Sequence, residues 1–442
     1  MELDEITLRL IQEFNEHWRT GKIREKLKER FRRRRFYDIV NYLDERQIIS
    51  ITGLRRVGKT TVMYQLMDYL INKEINPKNI FYFSFDEITT KKTEIIDELI
   101  RYFISKNGIE KDGVFIFFDE IQKINDWQAI IKRYYDLKEN IKFIVSGSES
   151  LILKGETKES LAGRNYEFVM HPLSFREFLE FKGIEIKKEN IKELYEELIT
   201  EKEKFQSLFH EFIISGGFPE MIGKDIEKIQ GYIKGSIIEK IIYYDLPKEF
   251  RIDNPELLLK ILEIASANTG QLFELEKITS SLGISRNTAS LYLSYLENAF
   301  LINFSYNYTK SKIKQIRTRK KIYVCDNGII NTILKQREVP NDFIGLLAET
   351  QIHNEISRKM NTFFWRDKQK REVDIITENH VITPIEVKYR NEIEKRDKEN
   401  IKYFMKKYRL TTGFLVTKNI FNYHEDLKLV PAWLFLLTET NK

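Results

Sequence analysis

Gly53-Leu54-Arg55-Arg56-Val57-Gly58-Lys59-Thr60 is the stretch on which the reading of the whole chain turns, and Thr61 follows it directly. It has the spacing G-x-x-x-x-G-K-[ST]. The apolar run QIISIT (residues 47–52) precedes it, and TTVMYQLMDYLI follows, with Val62, Leu66, Tyr69 and Leu70 at helical spacing. The expectation is strand, loop, helix. Glycine at both ends lets the backbone take conformations other residues resist, so successive N–H groups converge on an anion while the helix adds its positive end. Lys59 brings a point charge for the β- and γ-phosphates of ATP, and Thr60 brings a hydroxyl for Mg2+. The alternative, glycines in a surface turn beside a basic residue, does not require this length of match between strand and helix.

Three more short apolar runs lie downstream: NIFYFSF (79–85), VFIFF (114–118) and KFIVSGS (142–148). Runs that are apolar on both faces and alternate with helical segments imply a parallel sheet covered on both sides, an α/β domain. VFIFF ends in Asp119-Glu120, at the strand edge where such sheets bind ligands. Asp119 is expected in the Mg2+ shell, and Glu120 is expected to orient and polarise the attacking water. Standing alone, such an acid pair is more often a helix cap; the phosphate loop about 60 residues earlier reverses that. The next strand ends in Ser146-Gly147-Ser148, where Ser146 is placed to bond a phosphate or the water, although the triplet is also ordinary turn chemistry. Arg164, in SLAGRNYEF, is a candidate arginine finger for this or a neighbouring subunit, which would require a homo-oligomer; a plain surface arginine is the alternative.

The 442 residues correspond to about three domains. Lys plus Arg (73) exceeds Asp plus Glu (67), a net charge of +6 that permits nucleic-acid binding without demanding it. At 42% hydrophobic and 13% aromatic the chain can build packed cores, which argues against global disorder. The single cysteine, Cys325, forbids an internal disulfide and any cysteine-rich zinc site, and none of the six histidines has ligand spacing. With an acidic start and no apolar run of bilayer length, the expected location is the cytoplasm, without a membrane partner. Residues 22–35, KIREKLKERFRRRR, carry a helical charge pattern with a dense basic end, either a solvated face or a contact surface.

Residues 175–244 read as mainly helical, punctuated by Gly216-Gly217-Phe218-Pro219. From 255 to 308 the pattern is helix, helix, turn, helix, then strands, the plan of a winged helix. Its last helix has Ser285 as N-cap and Ala289, Leu293 and Leu296 as its inward stripe. Arg286 and Asn287 at its start are candidates to face a DNA groove, and KSKIKQIRTRKK (310–321) has seven basic residues and no acid. On the wing, Lys312, Lys314, Arg317 and Arg319 would follow a phosphate backbone; a solvated strand pair is the alternative. The last 120 or so residues return to mixed α/β. There Asp374, then Glu386-Val387-Lys388, fits the D…E-x-K pattern of restriction-endonuclease-like folds, with Glu349 on the preceding helix as a fourth candidate. Two adjacent strands would bring Asp374 and Glu386 to one Mg2+, and Lys388 would point to the same face. An inactive relic that still binds nucleic acid and a set of surface ion pairs are the competing readings.

GLRRVGKTT, FIFFDEIQKINDW, VSGSES, LAGRNYEFVMHPLSFREFLEF and ISGGFPEMI, in that order, resemble a family of prokaryotic and archaeal AAA+ ATPases distantly related to the origin-recognition ATPases. KIYVCDNGII, GLLAETQIHNEI, FFWRD, EVDII and PIEVKY resemble the domain of unknown function that usually completes such chains. The resemblance implies a P-loop sheet with an extra strand between the two nucleotide-motif strands, a helical lid, a winged helix and a C-terminal restriction-endonuclease-like domain. It assigns 53–61 to ATP, Asp119 to Mg2+, Glu120 to water activation and Ser146 to the first sensor position; Arg164 depends on how subunits assemble. The expected divisions are a basic helical segment (1–43), the ATPase core (44–174), the lid (175–250), the winged helix (251–322) and the last domain (323–442). The expected function is Mg2+-dependent ATP hydrolysis acting on DNA, with a candidate nuclease-like C-terminal domain. The alternative is an ATP-gated protein-interaction switch with a silent C-terminal fold; a metabolic kinase would not need the added modules.

Overall fold

Strand formation follows the apolar runs closely, because residues buried on both faces fit only the interior of a helix-covered sheet. The computed structural model describes residues 3–88, 92–107, 113–138, 140–147, 161–250, 252–309, 311, 319–336, 338–379 and 381–438, and divides into two units, Met1–His171 and Pro172–Lys442. In the first, β1 (Ile48–Gly53), β2 (Ile80–Ser84), β3 (Val114–Asp119), β4 (Ile141–Ser146) and β5 (Asn165–Met170) form a parallel sheet in the order β2-β3-β4-β1-β5. The extra strand is therefore present: β4 separates β1 from β3. Helices α1 (Glu5–Phe14), α2 (Lys59–Asn72), α3 (Glu94–Asn107) and α4 (Trp127–Leu137) accompany the sheet, with Phe81, Phe83, Phe103, Phe118 and Ile131 in the shared core.

Edge strand β2 is closed by side chains instead of a further strand. Asn15 donates to Tyr82 O and accepts from Tyr82 N, both at 2.8 Å, mimicking strand pairing, while the Trp18 indole donates to Ile80 O at 2.7 Å. The basic segment is not one helix: Glu25–Lys28 and Arg34–Val40 are helical, with Glu29 between them at φ +43. Packing on α2 overrides the charge pattern. The Gln65 amide donates to Lys28 O and Phe31 O (2.7 and 2.8 Å), and Lys28 pairs with Asp68 at 2.8 Å.

The second unit holds helices α5 (Phe175–Phe181) and α6 (Lys202–Ser215), then α7 (Pro255–Ala267), β6 (Gln271–Phe273), α8 (Leu275–Leu282), α9 (Arg286–Asn298), β7 (Ile302–Asn307) and β8 (Lys320–Val324). Next come α10 (Asn341–Ser357), β9 (Asn361–Arg366), β10 (Glu372–Asn379), β11 (Val381–Lys388), α11 (Glu399–Tyr408), β12 (Gly413–Thr417) and β13 (Leu427–Pro431). Ser285 caps α9 by accepting from Thr288 N at 3.1 Å, and Ala289, Leu293 and Leu296 are buried. One mixed sheet runs β13-β12-β11-β10-β9-β7-β8-β6, joined through the parallel pair β7 and β9. The expected division at 322/323 thus falls inside β8 of a continuous sheet. No helix among the described residues is long and apolar enough to cross a membrane.

Candidate functional site

Residues 53–58 leave the C-terminal end of β1 and turn into α2, so the loop sits at the sheet edge next to the ends of β3 and β4. The turn needs its glycines. Gly53 has φ +130, and a Cβ there would lie 2.0 Å from Met170 O; Gly58 has φ +94 with nothing within 4 Å of such an atom. Arg56 also takes a positive φ, +66. No side chain caps the N-terminus of α2, so its positive end faces the loop. The Lys59 ammonium is buried and donates to Gly53 O and Leu54 O at 3.1 and 2.9 Å, at the centre of the bend.

The partners converge on this point because parallel register puts Phe118 beside Val145 and Ile51 beside Ser146. The Thr60 hydroxyl donates to Asp119 Oδ2 at 2.7 Å, Tyr82 donates to the same oxygen at 3.0 Å, and Ser146 donates to Asp119 Oδ1. Ser146 Oγ also accepts from Glu120 N at 3.2 Å. Glu120 itself is buried in the left-handed region, φ +54, with Gln122 donating to its carboxylate at 2.6 Å. Burial pushes its pKa above the usual glutamate value, against the opposing pull of Lys59. A hydroxyl and a carboxylate 2.7 Å apart are hard oxygen donors of the kind Mg2+ takes, so these residues fit the ion.

Arg33 is a participant the sequence did not single out. Amides turned toward a phosphate turn carbonyls away from it, and those carbonyls need donors. Buried Arg33 supplies one, bonding Val57 O at 2.9 Å and His171 O at 2.7 Å. Within a run of basic residues nothing in the pattern marks it. Arg164, by contrast, is not at this site. It precedes β5 and accepts, through its carbonyl, from Ile48 N, at the opposite edge of the sheet from the loop, about 17 Å away along β1. Its guanidinium pairs with Asp136 at 2.9 Å.

Asp374 and Glu386 do meet. They oppose each other on β10 and β11, Asp374 Oδ2 accepts from Val387 N at 3.0 Å, and Lys388 pairs with Glu386 at 2.7 Å. Glu349 of α10 joins them, but through a residue the reading placed elsewhere: Lys321 of β8 sits 3.1 Å from Glu349, 2.9 Å from Glu372 and 3.3 Å from Asp374, with 2% of its side chain exposed. Tyr323, two residues along the same strand face, donates to Glu349 at 2.8 Å. Burial, then Asp374, pushes Glu349 up to about 7 and Glu386 up to about 8. Among the described residues no three His, Cys, Asp or Glu side chains are disposed to hold a metal ion. An ammonium stands where the carboxylates point, so this set does not fit a divalent cation, and Lys321 is not part of an exposed basic wing. Lys312, Lys314 and Arg317 lie outside the described residues. Arg286 and Asn287 are exposed in the first turn of α9; Arg286 pairs with Glu276 at 3.0 Å and Arg319 with Glu274 at 3.2 Å.

Residues 45–179 match the AAA domain family; residues 206–339 and 344–435 each match a domain of unknown function. An uncharacterised protein of Methanocaldococcus jannaschii is 28% identical over 425 residues, 91% of this chain and 90% of its own. One from Haemophilus influenzae is 28% identical over 296 residues, 66% of this chain and 70% of its own. Among solved structures, a Walker-type ATPase of Pyrococcus abyssi is similar at 15% identity and TM-score 0.41, covering 70% of this chain and 97% of its own. The Aeropyrum pernix ORC1 protein, solved in complex with DNA, is similar at 11% identity and TM-score 0.28, over 68% and 91%.

Proposed function

We propose that the chain, whose residues 45–179 match the AAA domain family and whose later parts match domains of unknown function, is a prokaryotic AAA+ P-loop ATPase that binds and hydrolyses ATP with Mg2+ and acts on DNA. The observation that carries the hydrolytic reading is the hydrogen-bonded set at the loop's mouth, Thr60 to Asp119, Ser146 to Asp119 and Glu120 N to Ser146. Thr60 and Asp119 would hold Mg2+, which when bound neutralises charge on the β- and γ-phosphates. The amides at 53–61 receive the phosphates, and Lys59 exchanges its loop carbonyls for phosphate oxygens. Glu120 orients the attacking water, with Gln122 holding its carboxylate and Ser146 fixing its backbone.

Lys59→Ala should abolish turnover and weaken ATP uptake in a direct titration with Mg2+. Glu120→Gln should keep ATP affinity within about twofold while turnover falls by at least about a hundredfold. Normal turnover in either variant rejects the site.

The DNA reading rests on the three helices α7, α8 and α9 with the antiparallel β6-β8-β7 arrangement, which we take as a winged helix, with Arg286 and Asn287 exposed at the start of its third helix. The sequence of 310–319 carries five basic residues and no acid. Affinity for duplex DNA should fall steeply with salt and disappear when Lys312, Lys314, Arg317 and Arg319 become Glu. Binding that is indifferent to both would instead favour an ATP-gated switch whose partners are proteins. The nuclease reading has the D…E-x-K set as its support, but Lys321 among the carboxylates argues against a metal-dependent cleavage centre there.

A further inference from the structure

We propose that the Asp374–Glu386 centre is an electrostatic latch closed by an internal cation: the Lys321 ammonium takes the place a divalent ion would occupy, and the native chain takes up no metal there. The argument is one of charge and position. Four carboxylates (Glu349, Glu372, Asp374, Glu386) face three cations supplied by the chain itself, since Lys321 bridges the first three, Lys388 pairs with Glu386, and Arg366 pairs with Glu372 at 2.6 Å. Buried carboxylates need compensation, and each of these already has a cation of the chain within ion-pair distance. A metal ion drawn to Asp374 would have to approach the ammonium at close range or displace it from these carboxylates and from the Phe364 ring, whose centroid lies 5.9 Å from Nζ in a cation–π contact.

Displacement is also opposed by what the latch joins. Lys321 and Tyr323 come from β8, Glu349 from α10, and Glu372 and Asp374 from β10, so one ammonium ties three elements together. Gly270, at φ +72, lies against Glu349, where a Cβ would stand 3.2 Å from Oε1, so a side chain at this position would crowd the carboxylate. His353, four residues along α10, stacks on the Tyr323 ring at 3.6 Å and fixes the strand against the helix. The two stretches KIYVCDNGII and GLLAETQIHNEI are therefore two halves of one charge-paired contact.

The test is Mn2+ uptake without nucleotide, followed by the electron paramagnetic resonance of the free ion, in the full chain. Wild type and Lys321→Arg should show no Mn2+ uptake that Asp374→Asn removes. Lys321→Met should gain one ion per chain, lost again when Asp374→Asn is added. Two results overturn the proposal: Asp374-dependent uptake in the wild type, or a folded Lys321→Met chain that takes up no additional ion. Should Lys321→Met not fold, crystals of the unmodified chain soaked in Mn2+ decide the matter. Anomalous density at Asp374 refutes the latch, and its absence there supports it. Because uptake at Thr60 and Asp119 responds to Asp119→Asn and not to Asp374→Asn, the outcome is independent of the ATP reading.

Discussion

Glu120 carries the sharpest consequence at the scale of one residue. Its carboxylate is buried, and burial raises its pKa, so protons bind it at a higher pH than they bind an exposed glutamate. A water-orienting role needs the ionised form; ATP turnover should therefore fall on the acid side at a pH above the ordinary glutamate value of about 4.5. A pH–rate profile flat down to that range would contradict the assignment. Ser146 gives a second test. Its hydroxyl donates to Asp119 and accepts from Glu120 N, two bonds that fix the acids. Ser146→Ala should lower kcat by roughly tenfold to a hundredfold, the equivalent of about 1.5–3 kcal/mol for a charge-assisted hydrogen bond, with ATP affinity little changed. The sequence revealed Ser146 because it ends a strand beside an acid pair. Arg33 and Lys321 stayed hidden because each sits in a run of basic residues, where type alone does not tell which side chain turns inward. Only the alternation Lys321-x-Tyr323 on a strand hints that one of them faces a core.

Elements were legible where burial on both faces leaves one solution. β1 to β4 lie within a residue or two of the apolar runs. β5 escaped: NYEFVM mixes exposed and buried positions, because it lies at the edge of the sheet. The helical pattern at 22–35 misled for the opposite reason, since charge periodicity is a weak force beside the Gln65 and Asp68 contacts that bend the chain onto α2. Closure of β2 by Asn15 was invisible, as it depends on a partner 67 residues away. Asn15→Ala would leave Tyr82 N and O without their side-chain partner in the interior, at a cost of roughly 2 kcal/mol or more, and would bare a strand edge. Chemical denaturation should show the loss, and the variant should aggregate more readily; an unchanged midpoint would mean that water satisfies the strand.

Across the molecule, the division of the C-terminal half is what the sequence could not disclose. Periodicity locates β7, β8 and β9, yet only pairing shows that β7 lies parallel to β9 and makes one sheet of segments that read as two domains. This continuity has a measurable consequence through the carboxylates beneath it. Glu349 and Glu386, raised to about 7 and about 8, bind protons in the folded state that the unfolded chain, at about 4.5, releases. Between those values the native state holds more protons than the unfolded one, so stability falls as pH rises. His353 opposes this at lower pH: buried and depressed to about 3, it favours folding increasingly up to its ordinary value of 6.5. The clean window is therefore pH 6.5 to 8, set by those same values. In it the unfolding midpoint of the wild type should drop, and Glu386→Gln, neutral throughout, should drop less. Equal slopes for the two proteins would show that Glu386 is ionised at neutral pH and that Lys321 and Lys388 outweigh its burial.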